Sequence, residues 1–238
     1  MIRFEQKICH SCESRNLFLS DAATPEAVDS CFRRNDKKNL IIEFKEILSN
    51  MRIAKKGKQK QIIIDPGEHY VSNEAVTLST LLGSCVAACL YDPVRCVIGM
   101  NHFLLTTRGY DENVPICDTE PGKYGVCAME LLIDNMLNMG AQRENLRAKA
   151  FGGGSMFKPF EECSISNFCL GNINGIFIRE FLKKSNIKLI SEDLGGDRGR
   201  IIHFSSDDFA VYVKKIKTIA NSGLVQRDRI LWKQTTGQ

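Results

Sequence analysis

The sequence holds no apolar run of about 18 residues, the length a membrane-spanning helix needs. Its 238 residues open on "MIRFEQKICHSCES", without the apolar core of a signal peptide. No direct membrane insertion is expected, and the chain is expected in the cytoplasm, where thiols stay reduced. Charge of one sign is also lacking. Lys and Arg number 32 against 28 Asp and Glu, a net charge of +4, too weak to point to nucleic acid. The one basic cluster, "RIAKKGKQK" (52–60), reads as a solvated linker. Cys9 and Cys12 form a CxxC around His10, but no second ligand pair stands at matching spacing, and Cys31 alone does not supply one. A zinc site is therefore not expected. The turn Gly152-Gly153-Gly154-Ser155 follows a strand but lacks the GK[ST] of a phosphate-binding loop. Nothing calls for a metal or a cofactor, and no repeat period is visible.

What is present is ordinary globular composition, 43% hydrophobic and 25% charged, in a chain long enough for one large core. Residues 1–60 are polar, and only "NLIIEFKEILSNM" (39–51) has helical spacing; they read as a loosely structured N-terminal extension with one helix. From Gln61 the texture tightens. Strands are expected at "QIIID", "VAACLYD", "CVIGMNHFLL", "LRAKAF", "IKLISED", "RIIHFSS" and "FAVYVKKI". Helices are expected over 124–140, with Gly140 as the stop, and over 173–186. Strands and helices alternate without a strict βαβ rhythm. The expected fold is α/β of the α+β kind, a mixed-sheet sandwich with packed helices over 61–216. The tail, 217–238, reads as peripheral.

Ten cysteines in a reducing compartment are not a disulfide framework; most read as small buried hydrophobes. Cys85 asks for more. It sits in "TLLGSCVAACLYDPVRCVIGMNHFLL" (80–105), where Asp92-Pro93-Val94-Arg95 suits a β-turn. Pairing Asp92 with Arg95 sets Cys85 directly opposite His102, with Cβ atoms roughly 4.5–5.5 Å apart. Ala87, Cys89 and Tyr91 then share the face of Cys85; Ile98 and Met100 share that of His102; Val86, Ala88, Leu90 and Val97 line the reverse. Strands apolar on both faces are central ones. An imidazole beside a thiol takes its proton and yields the nucleophilic thiolate, and such a thiol should be accessible. Gly83 leaves room for substrate, and backbone N–H groups near Ser84 and Cys85 are placed to hold an oxyanion. Such a pair suits attack on an amide or ester carbonyl. The plain alternative is two core residues on neighbouring strands. His10, His69 and His203 have no comparable cysteine partner.

Further blocks carry a resemblance: "PGEHYVS" (66–72), "TLLGSCVAACLYDP" (80–93), "IGMNHFLL" (98–105), "KYGVCAMELLI" (123–133), "AKAFGGGSMF" (148–157) and "EDLGGDRGR" (192–200). Together they resemble the chemoreceptor glutamine deamidases, CheD. The resemblance implies a fold similar to that of the cytotoxic necrotizing factor deamidases. It implies hydrolysis of glutamine side chains to glutamate on methyl-accepting chemotaxis receptors, with Cys85 as nucleophile and His102 as base. It also implies a hydroxyl residue just before the cysteine. Thr80 fits the "TLLGSC" form, with Ser79 the alternative. Gly83, Ser84, Gly153 and Gly154 are expected around the substrate; Asp193 and Arg200 are candidates for the rim. A CheC-type phosphatase is the further partner that some members have. Glutamyl methyl-ester hydrolysis and a non-catalytic receptor-binding module remain alternatives. The N-terminal extension departs from the family pattern.

Overall fold

The structure, a computed structural model, describes residues 60–105, 116–118, 120–155 and 170–216. The CxxC, the helix read over 39–51 and the 217–238 tail lie outside the described residues. Among the described residues there are nine strands: β1 Lys60–Ile63, β2 His69–Ser72, β3 Val76–Leu82, β4 Val86–Asp92, β5 Val97–Phe103, β6 Arg147–Gly152, β7 Lys188–Leu194, β8 Gly199–Ser205 and β9 Val211–Ile216. The α-helices among the described residues are α1, Glu120–Asn138, and α2, Leu170–Lys184.

The strands make two mixed sheets, β1-β3-β8-β9 and β2-β5-β4-β6-β7. In the first, β1 and β3 are parallel and the other neighbours antiparallel. In the second, only β6 and β7 are parallel. Side-chain alternation along β4 explains how they stack. Val86, Ala88 and Leu90 point to a core completed by Met129, Leu132, Ile133 and Met136 of α1 and Phe177 and Phe181 of α2. Ala87 and Cys89, with Cys85 just ahead of them, point the other way, into a core with Ile98, Met100, Leu78, Leu82, Ile202 and Phe204. The five-stranded sheet is thus the middle layer, with the four-stranded sheet on one face and both helices on the other. This is the α+β sandwich expected, and the two-sided apolar character of β4 and β5 is what places them centrally.

Two strands escaped the sequence reading. β2 is four residues long, and β3, "VTLSTLL", mixes hydroxyls into its alternation. Both helices start three to four residues earlier than expected. The stop at Gly140 holds: φ is +100°, its N–H donates to Leu137 O at 2.9 Å, and Ala141 N–H donates to Met136 O at 3.0 Å, a Schellman ending. Among the described residues, no helix is long and apolar enough to cross a membrane.

Candidate active site

The hairpin register differs from the expected one. Asp92 pairs with Val97, and His102 stands opposite Ala87. The loop therefore has four residues, Pro93 to Cys96, where two were expected. Asp92 is the reason. Its Oδ1 accepts the N–H of Val94 at 2.8 Å and of Arg95 at 3.0 Å, and its Oδ2 accepts the N–H of Gln142 at 2.8 Å. Arg95 is thereby held inside the loop, and Cys96 closes it at φ +54°. Burial opposes the charge on Asp92, but these N–H donors outweigh it and hold the carboxyl below its usual range. The slip is by two residues, so every side chain keeps its face. Cys85 and His102 still share one face, as diagonal neighbours and not as a direct pair.

His102 is fixed from two sides. Its main chain continues the β2 edge through the Pro66-Gly67 turn: His102 N–H donates to Glu68 O at 3.0 Å, and Gly67 N–H donates to His102 O at 2.8 Å. Its ring meets Thr80. The single hydroxyl hydrogen of Thr80 goes to Ile64 O, 2.6 Å away. Toward His102 Nδ1, at 2.8 Å, the Thr80 oxygen must then accept, so Nδ1 carries the ring hydrogen. In a neutral imidazole that places the lone pair on Nε2, the nitrogen able to take a proton. Ser79 points to the opposite face of β3. Its hydroxyl meets Nδ1 of His203 at 2.8 Å and accepts from Gln61 Nε2 at 3.0 Å. Thr80, and not Ser79, touches His102.

The segment Gly83-Ser84-Cys85 is held by its carbonyls. Gly154 N–H donates to Gly83 O at 2.8 Å, Asn174 Nδ2 to Ser84 O at 2.9 Å, and Gly153 N–H to Cys85 O at 2.8 Å. The amide hydrogens of Gly153 and Gly154 therefore support the cysteine segment. Gly152 must be glycine here. Its φ is +114°, and a Cβ would lie against the carbonyl oxygen of Cys85. Cys85, His102 and Thr80 are all buried, so the accessible thiol expected from the sequence is not found.

The remaining candidates fall elsewhere. Arg200 donates to Asp193 Oδ1 at 2.9 Å and to the carbonyls of Gly195 and Arg198. The Arg200 guanidinium, then Lys215, hold the Asp193 carboxyl low despite partial burial. Arg200 and Lys215 line a cavity of about 290 Å³ with Gly195, Gly196, Asp197 and Arg198. Glu130 is a solvated helix residue 3.7 Å from Arg143. Burial, foremost, pushes the Cys89 thiol far above its usual range and Cys117 up to about 12, so both are poor nucleophiles. Among the described residues no His, Cys, Asp and Glu side chains gather as a metal site. The sequence reading missed Asn174. It is a buried polar residue in the apolar stripe Leu170, Ile173, Phe177, Ile178 and Phe181, and that misplacement was its signal.

The family model described as "CheD chemotactic sensory transduction" matches residues 111–215, a range that begins after Thr80, Cys85 and His102. A Geobacter sulfurreducens protein, "Probable chemoreceptor glutamine deamidase CheD 1", is 49% identical over 172 residues, covering 72% of this chain and 85% of that one. "Probable chemoreceptor glutamine deamidase CheD 2" of Shewanella oneidensis is 46% identical over 153 residues, covering 63% and 74%. "Probable chemoreceptor glutamine deamidase CheD" of Methylobacillus flagellatus is 38% identical over 184 residues, covering 77% and 87%. With such identity sustained over most of both partners, the chain belongs to the CheD family.

Proposed function

We propose that this protein hydrolyses the side-chain amide of glutamines on chemotaxis receptors, releasing glutamate residues and ammonia, with Cys85 as nucleophile, His102 as acid and base, and Thr80 as the group that orients the imidazole. The relatives' names support the substrate class. The observation that carries the chemistry is the Thr80 hydroxyl between Ile64 O and His102 Nδ1, because it fixes the tautomer whose Nε2 accepts a proton.

In the first half of the reaction, Nε2 of His102 takes the thiol proton, and the thiolate attacks the glutamine Cδ, forming the C–S bond. Main-chain N–H groups of the Gly83–Cys85 segment meet the oxyanion. The C–N bond breaks as the imidazolium gives its proton to the leaving nitrogen, and ammonia departs. Water then attacks the thioester while His102 accepts its proton. The C–S bond breaks, and glutamate and thiolate remain. The catalytic unit is residues 61–216, and it works in the cytoplasm, where receptor signalling helices are exposed. A CheC-type phosphatase partner rests on the family resemblance alone.

The test is turnover on a receptor cytoplasmic fragment, followed by ammonia release and mass spectrometry. Wild type should replace glutamine NH₂ by OH at specific positions, and Cys85→Ala should release no ammonia while keeping a native circular dichroism spectrum. Unimpaired release by that variant would falsify the nucleophile assignment. Loss of a CH₂ from methylated glutamates, without ammonia, would identify an esterase.

A further inference from the structure

Asn174 is completely buried, and both ends of its amide are used. Nδ2 donates to Ser84 O at 2.9 Å, and Oδ1 accepts Leu105 N–H at 2.8 Å. Only one orientation of the amide satisfies both partners. The residue lies in the second turn of α2, among side chains that otherwise pack apolar surface against the middle sheet. An apolar residue would fill that stripe without needing partners, so the amide does something packing does not ask for.

Its two partners belong to the two segments that the proposed reaction brings together. Ser84 immediately precedes Cys85. Leu105 lies just past the end of β5, three residues after His102. In a trans peptide the C=O and N–H point in opposite directions, so holding Ser84 O toward α2 aims the Cys85 N–H away from α2. The flanking carbonyls, Gly83 O and Cys85 O, are held by main-chain groups of the Gly153-Gly154 turn. The middle carbonyl, the one that sets the Ser84–Cys85 peptide plane, is held by a side chain from another element.

We infer that Asn174 is a positioning residue of the reaction: anchored on Leu105, it sets the Ser84–Cys85 peptide plane and thereby aims the Cys85 N–H at the oxyanion. This rests on the reading of Cys85 as nucleophile. Donors of this kind act only where charge develops in the transition state. Disturbing one lowers kcat and leaves both substrate affinity and the ground-state thiol largely alone.

Two variants test it. Asn174→Leu keeps roughly the volume and removes both hydrogen bonds. Its kcat on a receptor fragment should fall at least ~30-fold, with KM within ~2-fold. Iodoacetamide labelling of Cys85, mapped by peptide mass spectrometry, should stay within ~3-fold of wild type. Asn174→Asp keeps the acceptor for Leu105 and titrates the other position. Protonated, the introduced carboxyl donates to Ser84 O; ionised, it repels that oxygen. Its kcat relative to wild type at the same pH should therefore fall at least ~10-fold as pH rises from about 5 to 9. Taking the ratio at each pH removes the pH dependence common to both proteins. The inference fails if that ratio is flat, if the leucine variant keeps kcat within ~3-fold, or if Cys85 labelling falls in step with kcat. A Cys85→Ala protein that still turns over would sink the nucleophile reading itself, whereas an inactive Cys85→Ala beside unaffected Asn174 variants would sink only this inference.

Discussion

Thr80 contributes one oxygen and one hydrogen, and each has a single destination. The hydrogen satisfies Ile64 O, and the oxygen takes the Nδ1 hydrogen of His102. Thr80→Ser preserves both and should keep kcat within ~3-fold of wild type. Thr80→Val has the same shape without the hydroxyl. It leaves Ile64 O and the imidazole N–H unpaired in a buried place, costing about 1–3 kcal/mol of stability. It also frees the ring to turn, and kcat should drop roughly 10- to 100-fold. Steady-state kinetics beside a urea unfolding curve separates the two effects; equal activity of the serine and valine variants would remove Thr80 from the site. From the sequence, Cys85 is expected directly opposite His102; the ladder puts Ala87 there instead, and alternation keeps the cysteine and the histidine on the same side of the hairpin only because the slip is an even number of residues. The sequence could not choose between Thr80 and Ser79. That choice depends on which face of β3 looks toward β5, and β3 is too rich in hydroxyls to be read as a strand.

At the scale of elements, turns and close approaches decide what periodicity leaves open. The β4–β5 hairpin was visible, but its register was set by the Asp92 side chain folding back on Val94 and Arg95, a local contact that a generic turn pattern does not contain. The Gly-rich turn after β6 was visible as a turn. That it carries the cysteine segment on its amides was not, because those partners are over 60 residues away in sequence. Two glycines measure how much that packing matters. Gly140 ends α1 at φ +100°, and a Cβ added there would have nothing within 4 Å, whereas at Gly152, with φ +114°, it would meet the Cys85 carbonyl. Gly140→Ala should cost only the left-handed backbone term, about 1–2 kcal/mol. Gly152→Ala adds a clash that only backbone movement relieves, and should cost at least about 3 kcal/mol. Denaturant midpoints of the two variants give the comparison, and equal losses would mean that the turn yields freely. Gly152→Ala should in addition impair turnover, since the atom it displaces belongs to Cys85.

At the scale of the whole molecule, the described residues form a three-layer stack, and the sequence showed its middle layer best, because only strands buried on both faces read as continuous apolar runs. The outer face of the four-stranded sheet was hidden by its polar content, which includes a completely buried histidine, His203, with its Nδ1 against Ser79. Burial pushes the His203 pKa down to about 4 from an ordinary 6.5. Folded protein therefore keeps this ring neutral where unfolded chain binds a proton. Stability should be full above about pH 6.5 and decline as pH falls toward 4, where the folded form at last protonates. A gap of that size corresponds to about 3 kcal/mol across the window. His69, also lowered by burial, adds in the same direction. His203→Asn keeps a group able to meet Ser79 and removes the titration. Urea midpoints measured at about pH 7 and about pH 4.5 should differ clearly less in the variant than in wild type. An unchanged difference would place the acid sensitivity outside this sheet, in His69 or in the carboxylates, such as Asp92 and Asp193, whose depressed pKa values make them contribute at still lower pH.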